Sequence, residues 1–159
     1  MKIASALFIL STICFGDSRL SGLANKVEHA DVHKDGCLFC LGIEKDRLSV
    51  IKYFKYCMAV EDKFPVSKGH VLILPYQHIE NYFEAPEEVR QNIVAAADEI
   101  KEYLNSEYSP DGYNFGTNCG AVAGQTVMHL HWHLIPRYAG DRERPTGIAT
   151  GIIPNDKNY

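Results

Sequence analysis

The sequence predicts an α+β domain, an antiparallel β-sheet of about five strands with one long helix. Residues Pro86 to Leu104 repeat apolar side chains at intervals of three and four, the period of an amphipathic helix. Short runs rich in β-branched and aromatic residues lie between turns marked by Gly, Pro and Asp. The segment His129-Leu130-His131-Trp132-His133-Leu134-Ile135-Pro136-Arg137 alternates, which is the period of a strand. No internal repeat divides the chain, and 159 residues suit one domain with its own core.

Taken in order, Lys2 precedes an apolar run from Ile3 to Phe15, interrupted by Ser5, Ser11 and Thr12. That run has the length of a signal-peptide core and is too short to span a bilayer as a helix, so no stable membrane insertion is expected. Small residues follow at Gly16 and at Ser21 to Ala24, without a clear Ala-x-Ala site. Residues 1–30 are read as a signal-like or dispensable extension and linker, and residues 31–159 as the folded domain. Val50 to Val60 supplies one or two strands, Asp62 to Gly69 a turn, and Val71 to Pro75 a short strand ended by proline. Pro86 suits a first helical turn, where Glu87 and Glu88 complement the helix dipole. Val89, Ile93, Ala96, Ala97, Ile100 and Leu104 form the apolar stripe that follows. Asp111-Gly112 makes a turn, Tyr113 to Asn118 a strand, and Gly120 to Gly124 a loop leading into the histidines.

Composition narrows the function classes. At 46% hydrophobic and 23% charged the chain reads as globular rather than disordered. A net charge of -4 argues against broad nucleic-acid binding, which needs a basic surface. The five cysteines, Cys14, Cys37, Cys40, Cys57 and Cys119, are odd in number and scattered, unlike a disulfide framework. Cys37-Leu38-Phe39-Cys40 has the spacing of half a zinc site, of a redox pair, or of incidental thiols.

The histidines carry the chemistry. On a strand, His129, His131 and His133 would share one face at intervals of roughly 6.6 Å, with Leu130, Trp132 and Leu134 supplying burial on the other. Three aligned imidazoles point to metal binding, phosphate handling or both, since imidazole titrates near neutrality and is both nucleophile and ligand.

Gly124-Gln125-Thr126-Val127-Met128 followed by this histidine segment closely resembles the signature of the histidine triad nucleotide-binding family. Cys37 to Cys40 is similar to the opening of its zinc-containing bacterial members. Phe64 to Pro75 with His78, and Asn114 to Asn118, resemble its other segments in order. The resemblance implies a sheet that joins that of a twin in a homodimer. It implies a small-molecule nucleotide ligand, adenosine or another purine nucleotide, and a cytoplasmic setting; the signal-like residues 1–24 leave export open.

Carried over by position, His131 is the nucleophile that attacks the α-phosphate and forms a nucleotidyl-histidine intermediate, which water then releases. His133 and Thr126 hold phosphate oxygens, Asn118, Gly124 and Gln125 line the pocket, and Gln125 steers a bridging oxygen or the water. His70 orients the triad, and Asp62 falls where the family places an acid on the ribose. Cys37, Cys40, His78 and His129 make one structural zinc site per protomer, which orients the strand. Substrates on this reading are dinucleoside polyphosphates or nucleoside phosphoramidates. The run Arg144 to Pro154 departs from the arginine-rich stretch of some bacterial relatives, with Thr146 and Thr150 in place of arginine, which weakens the inference to polyphosphates. Two other readings remain: a nucleotide-binding or interaction protein with little turnover, and histidines that ligate a catalytic metal.

Overall fold

A computed structural model describes residues 33–141. The extension over 1–30 and the run Arg144 to Pro154 lie outside the described residues. The elements are α1 (Leu38–Glu44), β1 (Val50–Tyr53), β2 (Cys57–Glu61), β3 (Val71–Pro75), α2 (Glu87–Tyr108), β4 (Gly112–Gly116) and β5 (Trp132–Arg137). Single 3-10 turns occupy Tyr82–Glu84 and Ala121–Ala123. The strands form one five-stranded sheet in the order β1-β2-β3-β5-β4, every neighbouring pair antiparallel. This is the α+β architecture the periodicities predict.

The helix α2 buries Val89, Ile93, Ala96, Ala97, Ile100 and Leu104, the stripe read from the sequence. That stripe packs on the sheet face formed by Cys57, Ala59, Val71, Ile73 and Leu134, with Leu130 from the approach to β5 in the same core. Each branched aliphatic side chain buried there contributes about 1.5–3 kcal/mol. Pro86 sits at the N-cap, one residue ahead of the first turn expected for it. The opposite sheet face carries Met58, Val60, Leu72 and Leu74, closed by Ile43, Phe39 and Leu48 from α1 and its loop.

The short helix α1 is not legible in the sequence. It starts where Cys37 acts as N-cap, its Sγ accepting from the Cys40 N–H at 3.5 Å, so the Cys-x-x-Cys is itself a capping turn. The strand expected over His129–Arg137 also begins later, at Trp132, and the strand expected to reach Asn118 ends at Gly116. The β3–β5 ladder runs only through Val71↔Leu134, Leu72↔His133 and Ile73↔Trp132. Beyond it Pro75 offers no N–H, its carbonyl is taken by the His129 ring, and the Leu130 N–H turns to the Ile79 carbonyl at 2.6 Å. His129 and His131 therefore stand on an irregular approach to the strand. No helix among the described residues is long and apolar enough to cross a membrane.

Candidate functional site

The histidine segment serves two clusters. In the first, Cys37 and Cys40 from the start of α1 meet His78 and His129, with all four ligand atoms within 4.8 Å of one another. The Sγ of Cys40 lies 3.4 Å from His78 Nδ1 and 3.5 Å from His129 Nδ1, and the Sγ of Cys37 lies 3.6 Å from His129 Nδ1. A tetrahedral zinc with ordinary bond lengths separates sulfur from nitrogen by about 3.6 Å, so the donor set fits that ion. The other nitrogen of His129 donates to the Pro75 carbonyl at 3.0 Å, which fixes the tautomer that turns Nδ1 toward the thiols. Burial pushes the Cys40 thiol up to about 11, so a thiolate there calls for a cation beside it.

The second cluster lies two residues on. His131 is 5% exposed, and its Nδ1–H donates to the His129 carbonyl at 2.8 Å, leaving the Nε2 lone pair as the reactive end of the ring. Burial lowers its basicity, which keeps that lone pair free of a proton at neutral pH. The ring of His133 stands 5.1 Å from that of His131, closer than a straight strand would place them, and Phe39 meets His131 edge-on at 5.2 Å. Behind His133 lies His70, its Nε2 3.0 Å from His133 Nδ1. Burial, with His131 and His70 alongside, pulls His133 down to about 4. The Asp62 carboxylate comes next, Oδ2 3.3 Å from His70 Nδ1 and Oδ1 accepting from the Phe64 N–H at 2.8 Å.

The loop between β4 and β5 forms the third side. Thr117 Oγ1, one residue past β4, donates to the His131 carbonyl at 2.7 Å and so ties down the approach to β5. Gly124, with φ +88, closes the 3-10 turn in a conformation that side chains disfavour, and Asn118 Nδ2 donates to its carbonyl at 3.4 Å. Thr126 is exposed beside it.

Gln125 takes a different position from the one expected. Its Oε1 accepts from the Gly120 N–H at 2.7 Å, and its Nε2 donates to the carbonyls of Glu80 at 2.6 Å and Val127 at 3.0 Å. With donors and acceptor committed to backbone, the side chain staples the loop to the segment after β3. The Asp62 oxygens lie beside His70 and the Phe64 N–H, with the side chain 14% exposed. Of the basic residues flanking the motifs, Lys68 lies over the Tyr108 ring and Arg137 pairs with Asp141 at 2.7 Å. Thr117, Phe39 and the Pro75 carbonyl lie within the motif segments, but their contacts with the histidines emerge only in the fold.

The HIT domain family profile matches residues 44–140. A HIT-like protein of Methanocaldococcus jannaschii is 38% identical over 108 residues, 67% of this chain and 83% of its own. An adenylylsulfatase of Arabidopsis thaliana is 32% identical over 118 residues, 73% of this chain and 59% of its own. Among solved structures, a Zn-bound histidine triad family protein from Mycobacterium smegmatis superposes with a TM-score of 0.63 at 29% identity, covering 73% of this chain and 88% of that one.

Proposed function

The chain belongs to the HIT domain family, and on that premise we propose that it is a nucleotide hydrolase or nucleotidyl transferase acting at the α-phosphate of a dinucleoside polyphosphate or a nucleoside phosphoramidate. The observation that carries the reading is the bond from His131 Nδ1 to the His129 carbonyl, which exposes Nε2 as a fixed, neutral nucleophile. That nitrogen attacks phosphorus, the leaving group departs, and a nucleotidyl-histidine forms; water then releases the mononucleotide. His133, tied to His70, faces the phosphate oxygens, and Thr126, Asn118 and the backbone at Gly124 and Gln125 line their pocket. The Arabidopsis relative is named an adenylylsulfatase, which supports an adenylyl substrate for this chain.

Cys37, Cys40, His78 and His129 are the residues that would hold one zinc per protomer. Zinc there supplies rigidity only, because four protein donors leave no open position for substrate. We further propose that the protein works as a homodimer whose sheets are continuous and that it binds a purine mononucleotide unit.

Intact mass after brief mixing with diadenosine tetraphosphate or an adenosine phosphoramidate tests the reaction. Wild type gains one nucleotidyl unit, and His131→Ala and His131→Gly gain none. Binding of mononucleotide without adduct or product would replace the enzyme by a nucleotide-binding protein with little turnover.

A further inference from the structure

Asp62, His70 and His133 are joined in series through the two nitrogens of His70, and its Nδ1 faces two partners. His70 Nδ1 has the Val66 backbone N–H at 3.3 Å and the Asp62 Oδ2 at 3.3 Å. Only one of them can satisfy that nitrogen at a time. Val66 does so when Nδ1 holds a lone pair, and Asp62 when it holds a proton. In the neutral chain Val66 therefore sets His70 as the Nε2–H tautomer, which donates to His133 Nδ1 across 3.0 Å and leaves His133 with an N–H toward the phosphate. The same three residues offer donor atoms within 4.8 Å of one another, yet the His70–His133 spacing is that of a direct hydrogen bond and leaves no room for an ion between them.

We infer that Asp62 is a positioning residue acting through His70, holding the proton His70 gains while His133 exchanges one with the reacting oxygens. This rests on the two-step reading above. With His70 as imidazolium, Nδ1–H faces Asp62 and Nε2–H faces His133. As the bond from phosphorus to the leaving group breaks, His133 gives its Nε2 proton to that group and takes the His70 Nε2 proton on Nδ1. His70 is left neutral with Nδ1–H on Asp62. In the second half, water forms its bond to phosphorus, and the pair of the P–N bond returns to His131 Nε2. The water proton enters His133 Nε2, and the Nδ1 proton returns to His70. One proton leaves with the leaving group and one arrives from water. Burial opposes a charge on His70 and Asp62 favours it; a bound phosphate would add the second negative charge.

The test uses Asp62→Asn in the full chain, because the amide keeps an oxygen for the Phe64 N–H. Two substrates are compared, an adenosine phosphoramidate and its 2',3'-dideoxy analogue. The relay predicts that kcat falls on the order of 10²-fold on both. A carboxylate serving only the ribose predicts a raised KM on the first substrate and no further loss on the second, which would overturn the inference. A second measurement needs no turnover. In 15N spectra of AMP-loaded protein, His70 carries protons on both nitrogens in wild type and loses the Nδ1 proton in the variant. A neutral His70 in AMP-loaded wild type would sink the relay even if the covalent reaction stands. Absence of turnover with these spectra intact would sink the reaction and leave the positioning role.

Discussion

The ring of His131 hangs by its Nδ1–H from the backbone carbonyl of His129, 2.8 Å away, while the ring of His129 itself faces two cysteines. The proposed nucleophile and the proposed metal ligand thus share one short piece of backbone.

Loss of the metal site is expected to reach the chemistry through that piece. Cys40→Ser should bind no zinc and lose the ligand contribution to stability, about 4 kcal/mol where free zinc stands a thousandfold above its dissociation constant. Metal content, thermal melting and turnover measured together check this; full activity in a zinc-free Cys40→Ser protein would contradict it.

Gln125→Ala removes a donor and acceptor that meet three backbone groups, leaving the Glu80 carbonyl and the Gly120 N–H without those partners, while the Val127 carbonyl keeps the His129 N–H at 2.8 Å. A cost of about 2–4 kcal/mol is expected in urea unfolding. Hydrogen exchange should quicken across residues 117–127, and an unchanged exchange pattern there would refute the staple.

Thr117→Val deletes the 2.7 Å bond to the His131 carbonyl at nearly constant shape. The expected loss is about 1–2 kcal/mol of stability. Turnover should drop with little change in KM, because the group orients the nucleophile and not the substrate; steady-state kinetics decide.

Gly69 has φ +81, and a Cβ there would lie 2.8 Å from a Tyr108 ring carbon. Gly69→Ala should cost about 1–3 kcal/mol from backbone strain alone, before the ring clash. Adding Tyr108→Ala should recover only the clash, so the double variant remains less stable than Tyr108→Ala. Equal stability of those two would show that the backbone is not strained.

Stability should fall with acid over a defined window. His133 has a folded pKa of about 4, below its unfolded value of about 6.5, so between those values the unfolded chain binds the extra proton. Its contribution is fully present above pH 6.5, declines as pH falls, and levels off below 4, amounting to about 3 kcal/mol in all. Urea midpoints across this range should show the slope in wild type and a shallower one in His133→Gln.

Much of this arrangement is legible in the amino-acid sequence alone. The three-and-four spacing of Val89 to Leu104 names the buried face of α2, because a helix with one apolar stripe has one way to pack. The run Val71 to Pro75 is a strand for the same kind of reason. The motif names the four Cys and His donors, and the fold brings their ligand atoms together. What the sequence hides depends on partners distant along the chain. The shortened β5 follows from a proline carbonyl 54 residues before His129, and the inward turn of Gln125 from a carbonyl 45 residues away. Pairing of Asp62 with His70 needs the β2–β3 turn to bring the two side chains level. Local pattern contains none of these distances.

The strand order also says when the site can exist. Among the described residues β4 pairs only with β5, and β5, the last of the described strands, must enter between β3 and β4. During synthesis β4 has no neighbour to hold it until residues 132–137 have emerged, and the loop that carries Thr117, Gln125 and the histidines closes in the same event. A nascent or truncated chain without residues 132–137 therefore lacks the completed triad, although the β2–β3 turn that sets Asp62 beside His70 precedes them. The reactive histidine is placed by the step that completes the sheet.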